Sequence, residues 1–251
     1  MNCVFICVFN NPDYLNLLFL LVRSIQLYGE LGEETDILIY TSTVFMNRIK
    51  GSRFYRPNIK FETNDEFGSL YKACMARLDL FDLASTKQYN KILYLDTDIL
   101  VKKKLGHVFN LVEEDKLYVL KEGSITSDTN FWGKSLFGNE VHRYRDKSAF
   151  TSGILLFNNC ETMKTLFENI KKDIQRRPEL CTFYDQPFIV YNAFKYNLYE
   201  NTKLTKSFAV NNSQDVNSIY TIHHFPGGVG CYEVKIERMT KFFNNLIKKP
   251  R

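Results

Sequence analysis

The chain has 251 residues, 45% of them hydrophobic and 24% charged, which suits one sizeable domain of ordinary soluble composition. Its net charge of +5 favours an anionic substrate but is too small to imply nucleic acid, because the basic residues are scattered apart from Lys102-Lys103-Lys104 and the tail from Lys248. The six cysteines (Cys3, Cys7, Cys74, Cys160, Cys181 and Cys231) lack CxxC spacing, so they read as free thiols of a reducing compartment rather than a zinc cluster.

Residues 3–9 form an apolar first strand, with Cys3 and Cys7 on one face as small buried hydrophobes. No basic segment precedes them as in a secretory leader, so a cytoplasmic location is expected. The apolar stretch 15–22 is too short to span a bilayer, and Arg23 ends it. Asn11-Pro12-Asp13 is a turn whose Asp13 can cap a helix over 14–28. Residues 35–40 form a second strand, Thr41-Ser42-Thr43 opens a short helix, and 59–62 form a third strand. Over 67–83, Leu70, Cys74, Leu78 and Phe81 recur at helical spacing. The run 91–101 then reads as a single strand buried on both faces.

Periodicity is lost over 123–148, where Gly, Ser, Asn and Thr surround the only tryptophan, Trp132; the segment reads as a long loop or lid. A strand over 150–157 and helices over 160–176 and 185–196 follow. The last third shows little pattern until a helix over 233–248. Its Lys241-Phe242-Phe243 and Lys248-Lys249 can touch a membrane surface, although packing on the domain with the lysines in water is the stronger reading. No repeat or linker interrupts the chain, and one domain over 1–251 is expected. The alternating order predicts an α/β fold: a Rossmann-like mixed, mostly parallel sheet flanked by helices, with ligands at the carboxyl ends of the strands.

Asp96 and Asp98 stand out within the apolar run 91–101. Buried carboxylates are costly unless a cation accompanies them. Alternation along a strand points both the same way and Thr97 the opposite way. Two hard oxygen ligands at a strand end suit Mg²⁺ or Mn²⁺ carrying a phosphorylated substrate. The plainer alternative is a pair of acids at a strand–loop junction, capping the next segment.

Tyr94-Leu95-Asp96-Thr97-Asp98-Ile99-Leu100-Val101 resembles the DxD segment of glycosyltransferase family 8, the glycogenin and galactosyltransferase-like group with the GT-A fold. Further segments in the same order strengthen the resemblance over roughly residues 3–240. Val8 and Asn10-Asn11-Pro12-Asp13-Tyr14 look like the strand end and loop that hold the uridine, with a tyrosine stacking on the base. Arg77 sits where the family has a nucleotide-contacting basic residue. Ser152-Gly153-Ile154-Leu155-Leu156-Phe157-Asn158 resembles the sugar-side segment, Asp185-Gln186 the DQ pair, and His224-Phe225-Pro226-Gly227 the H-x-x-G that gives a third metal ligand.

Each match has a structural alternative. Tyr14 either stacks on uracil or packs on the sheet, and Arg77 either grips phosphate or is a solvated helix arginine. Gly153 either admits a sugar or marks a bulge, and Asp185 either binds sugar hydroxyls or caps a helix. His223 competes with His224 as the ligand. Gly227, Gly228 and Gly230 form either an anion nest or a turn. The sequence also departs from the family pattern. Thr151 replaces the usual asparagine, and the usual lysine falls at Gly230, with Lys235 as a substitute. Asp128 and Asn130 are candidate sugar contacts in the loop before Ser152.

The resemblance implies a retaining transferase that moves a hexose from a UDP-sugar to a hydroxyl acceptor: a glycan, a protein side chain or a lipid-linked sugar. Mn²⁺, with Mg²⁺ as the alternative, would be held by Asp96, Asp98 and His224. Asp96, Thr97, Ser152, Gly153, Gly227 and Lys235 would contact the nucleotide-sugar, and Asp185 and Gln186 would be catalytic. No nucleic acid or transmembrane segment is implied, and oligomerisation is compatible. A catalytically silent nucleotide-sugar binder and a DxD phosphatase are the competing readings. Self-glycosylation stays open because 15 tyrosines are present.

Overall fold

Seven strands form the main sheet of the computed structural model, which describes residues 1–227 and 231–248. The strands are β1 (Asn2–Val8), β2 (Thr35–Thr41), β3 (Ile59–Thr63), β4 (Lys91–Leu95), β5 (Ile99–Val101), β6 (Leu117–Ser124), β7 (Ser148–Asn158), β8 (Tyr199–Glu200), β9 (Ala209–Asn211) and β10 (Ile222–His224). The main sheet runs β3-β2-β1-β4-β7-β6-β8, and a small second sheet runs β5-β10-β9. β3, β2, β1 and β4 pair in parallel, and β7 enters antiparallel between β4 and β6, which makes the sheet mixed and mostly parallel as the sequence predicts. The helices are α1 (Asp13–Ser24), α2 (Thr43–Lys50), α3 (Leu70–Met75), α4 (Gly106–Phe109), α5 (Lys134–Phe137), α6 (Glu161–Arg176), α7 (Gln186–Lys195), α8 (Lys203–Ser207) and α9 (Tyr232–Ile247). No helix among the described residues is long and apolar enough to cross a membrane.

Strand alternation divides the interior into two cores. Cys3 and Phe5 of β1, with Ile92 and Tyr94 of β4, pack under α6 and α7. Val4, Ile6 and Val8, with Leu93 and Leu95, pack under α1 and α2. A third cluster joins Leu17 of α1, Leu100 of β5 and Phe225 to Met239, Phe242 and Phe243 of α9, so α9 is docked on the domain through its aromatic face. The six cysteines are unpaired.

The structure revises several expectations. The run 91–101 is two strands, not one: β4 ends at Leu95, and β5 belongs to the other sheet. Two carboxylates inside a fully buried strand would be left without partners, whereas a turn lets them converge. The helix expected over 67–83 starts at Leu70 and tightens into a 3₁₀ turn over Ala76–Asp82. Phe67 lies outside it, against Phe9 and Tyr40 with ring centroids 4.8 and 5.7 Å away. Asp13 does not cap α1; its N–H donates to Asn11 Oδ1 at 2.9 Å. The expected long loop over 123–148 contains the end of β6, two 3₁₀ turns and α5, packed over the buried Trp132.

Candidate active site

The main-chain N–H of Asp96 donates to the Gly153 carbonyl at 2.9 Å, extending the β4–β7 ladder by one bond. Two residues later, the Asp98 carbonyl accepts from the Phe225 N–H at 2.9 Å, a tie to the end of β10. Asp96-Thr97-Asp98 therefore spans the two sheets, with each aspartate anchored through its backbone to a different one. His224 pairs with Ile99 in the β5–β10 ladder, which sets it beside Asp98. One ligand atom from each of Asp96, Asp98 and His224 lies within 4.8 Å of the others. His224 Nε2 is 3.4 Å from Asp98 Oδ1, a buried oxygen that accepts no hydrogen bond. A buried acceptor without a donor, facing an imidazole nitrogen and a second carboxylate, suits a divalent cation. His223 projects from the opposite face of β10, packed on Phe242 with centroids 4.4 Å apart and Nε2 paired with Ser218 Oγ at 3.1 Å.

The other oxygen of Asp98 is taken. Lys235, near the start of α9, places Nζ 2.7 Å from Asp98 Oδ2. Burial alone would raise the Asp98 carboxyl; the Lys235 ammonium beside Oδ2 outweighs it and holds the group below its ordinary value. Burial acts to lower Lys235, and the Asp98 carboxylate more than compensates.

Arg77 enters from the 3₁₀ turn and is buried among acceptors. Its Nη1 donates to the Ser152 carbonyl at 2.7 Å and lies 3.2 Å from Asp96 Oδ1. Nη2 donates to Asp185 Oδ1 at 3.3 Å, while Nε contacts Asp185 Oδ2 at 2.8 Å as an ion contact without hydrogen-bond alignment. The fork thus ties the two carboxylates together. Asp185 occupies the N-cap position of α7 but makes no capping bond, because its carboxylate is turned to Arg77. Burial pushes Asp185 up to about 6 against the pull of Arg77, with the Asp96 charge adding to the rise. Gln186 Oε1 accepts from the Ser152 N–H at 2.6 Å, and its Nε2 donates to the Phe150 carbonyl at 2.8 Å.

That grip acts on an irregularity. Val119 of β6 pairs with Leu155 and Leu120 with Thr151, so residues 152–154 bulge from the β6 ladder. Gly153 sits in this bulge, where a Cβ would lie 2.9 Å from His224 Nε2 and 3.0 Å from Asp96 Oδ2. A cleft of about 600 Å³ opens over these groups.

Residues 34–225 match the family described as glycosyl transferase family 8. The chain belongs to that family. It is a glycosyltransferase with the GT-A fold. The galactosyltransferase LgtC, crystallised with donor and acceptor sugar analogs, is similar with a TM-score of 0.68 at 19% identity, over 100% of this chain and 98% of its own. Mouse xyloside xylosyltransferase 1 in its apo form gives 0.63 at 13% identity, over 92% of this chain and 98% of its own. The apo glycosyltransferase GlyE of Streptococcus pneumoniae TIGR4 gives 0.59 at 16% identity, over 98% of this chain and 63% of its own. At these identities the likeness establishes the fold. Among curated proteins, none matches the sequence significantly.

The family match ends just beyond His224 and leaves out β1 and α9, the elements that deliver Val8 and Lys235. The glycosyltransferase cleft nevertheless brings together Val8, Tyr14, Arg77, Asp96, Thr97, Asp98, Ser152, Gly153, Asp185, Gln186, His224, Gly227 and Lys235. Asn10 and Asn11 stay outside its walls and shape the loop instead. Asn10 has φ +65 and, with its amide oriented to satisfy both neighbours, donates to the Gly68 carbonyl at 3.2 Å and accepts from the Leu70 N–H at 2.9 Å. Asp128 pairs with Lys134 at 3.3 Å and Asn130 accepts from the Ser135 N–H at 2.8 Å, and neither lines the cleft. Gly228 and Gly230 lie outside the described residues. Tyr94 was not anticipated: its hydroxyl donates to Asp96 Oδ1, and its ring lies 4.9 Å from the Arg77 guanidinium carbon. Two-residue alternation with Asp96 is the sequence signal that could have found it.

Proposed function

We propose that this glycosyltransferase moves a hexose from a UDP-sugar to a hydroxyl acceptor with retention of configuration, using Mn²⁺ or Mg²⁺ at Asp96, Asp98 and His224. The observation that carries the reading is the buried, donor-free Asp98 Oδ1 facing His224 Nε2 and a second carboxylate at the strand ends. When bound, the cation supplies Lewis-acid stabilisation of the charge on the departing diphosphate. In this reading a single domain over residues 1–251 carries both donor and acceptor.

The roles of the chain's own groups follow from their chemistry. Tyr14 offers a flat ring to the uracil beside the apolar wall of Val8, Leu70 and Ala73. Lys235 replaces the loop lysine absent at Gly230 and brings a positive charge to the diphosphate from α9. Asp185, ionised above about pH 6, accepts hydrogen bonds from the sugar hydroxyls. Arg77 keeps Asp185 and Asp96 in place while the negative donor arrives. Gln186 holds the bulge that lets the sugar approach the backbone at Gly153.

Calorimetric titration of UDP with and without Mn²⁺ tests this on the wild type and Asp98→Asn, with UDP-glucose and UDP-galactose hydrolysis read in parallel. Metal-dependent UDP binding, weakened about 100-fold in the variant, is expected from the loss of a ligand carboxylate. UDP binding indifferent to every divalent cation in the wild type would sink the donor-site reading.

A further inference from the structure

His224 has a partner behind it that no sequence motif announces. β9 and β10 pair in parallel with Asn211 beside His224, so both side chains leave the small sheet on one face. The Asn212 N–H donates to the His224 carbonyl at 2.8 Å and fixes this register. Asn211 Oδ1 lies 2.8 Å from His224 Nδ1. An amide oxygen only accepts, so this contact requires the ring proton on Nδ1 and leaves the lone pair on Nε2.

An amide can turn either end toward a neighbour, so its orientation needs a second constraint. Glu122 provides it. This half-buried carboxylate of β6 lies beside the Asn211 amide, and a carboxylate favours the NH₂ end, the only end it can accept from. Glu122 sits at a bulge. Lys121 pairs with Phe150 and Ser124 with Ser148, so Glu122 and Gly123 together face Ala149. The chain thus reads Glu122 carboxylate, Asn211 amide, His224 Nδ1–H, with Nε2 pointing at the donor-free Asp98 Oδ1.

We infer that Glu122 and Asn211 are positioning residues that lock His224 in its Nδ1–H tautomer, so that Nε2 meets a divalent cation with a lone pair instead of a proton. The inference rests on the cation site proposed above. Outer partners of this kind set ring orientation and ligand basicity, and their loss typically weakens metal binding about 10- to 100-fold.

Two measurements test it. Nitrogen-15 NMR of histidine-labelled, metal-free protein at alkaline pH reads the neutral tautomer, and calorimetry reads the affinity for Mn²⁺ alone. The wild type is expected to show Nδ1–H at His224. Asn211→Leu and Glu122→Ala are expected to lose that signature and to bind Mn²⁺ about 10- to 100-fold more weakly. Glu122→Gln, which keeps an acceptor oxygen, is expected to restore the affinity. An Nε2–H tautomer in the wild type overturns the relay whether or not Mn²⁺ binds. Unchanged Mn²⁺ affinity in the folded variants overturns it too. If Asn211→Leu does not fold, Glu122→Ala and the wild-type spectrum decide. A wild type with the Nδ1–H tautomer but no Mn²⁺ binding removes the cation site while supporting the orientation of His224.

Discussion

At the scale of single residues, Gly153 shows how little space the candidate cation site tolerates. The sequence admits two readings of it, close sugar approach or a bulge, and the structure joins them: the bulge is what brings its backbone against the two ligands. Its backbone φ is not in the left-handed region, so an alanine fits the local conformation. The obstacle is the added methyl, 2.9 Å from His224 Nε2 and 3.0 Å from Asp96 Oδ2. Gly153→Ala should therefore separate two of the three candidate ligands. The unfolded chain loses entropy on the same change, worth about 0.4–1 kcal/mol in favour of the fold, which offsets part of the crowding. The expected result is Mn²⁺ affinity reduced at least about tenfold with a melting temperature within a few degrees of the wild type. Calorimetry and thermal unfolding on one preparation separate the two effects. Full Mn²⁺ affinity in the variant would show that His224 and Asp96 do not need the open space at Gly153.

At the scale of elements, β6 and the segment after it carry the part of the fold least visible in the sequence. Gly123 has φ +64, and a Cβ there would fall 2.3 Å from the Trp132 indole, which is buried against it. Gly123→Ala combines a left-handed alanine with a clash against a large core ring. Together these should cost about 3 kcal/mol, lowering the melting temperature by roughly 6–12 °C in a chain of this size. A melting temperature unchanged by the substitution would mean that β6 and Trp132 can separate freely. The sequence shows only that periodicity fails over 123–148, since a bulge and turns of three to seven residues have no period to display. By contrast, β1 to β3, α6 and α9 emerge within a residue or two of their sequence-based bounds, because each repeats one spacing for most of its length. Asp96 and Asp98 are legible as a site. The division of their strand between two sheets is not, since an apolar run does not reveal which neighbour it pairs with. Lys235 and Asn211 likewise reach the site only through tertiary packing.

At the scale of the whole molecule, the candidate site depends on the small sheet and α9 staying docked on the main sheet, and His223 is a weak point in that arrangement. It is fully buried between Phe242 of α9 and Ser218, with Nδ1 donating to the Ser213 carbonyl at 3.4 Å. Burial first, and the nearby Lys102 charge second, push its imidazole down from 6.5 to about 4. The folded protein therefore keeps the ring neutral where the unfolded chain already takes up a proton. The stability this contributes is present above pH 6.5 and is lost as pH falls from 6.5 towards 4. Over that window the linkage amounts to about 3 kcal/mol. Urea unfolding at pH 7 and pH 4.5 should show the wild type losing more stability than His223→Gln, whose side chain cannot take up the proton. Carboxylates titrate alike in both proteins, so the difference between their pH slopes isolates the histidine. Parallel slopes would mean that His223 is already protonated in the fold or is open to water. The same acid loosening should act on the site, because α9 carries both Phe242 and the lysine that neutralises Asp98.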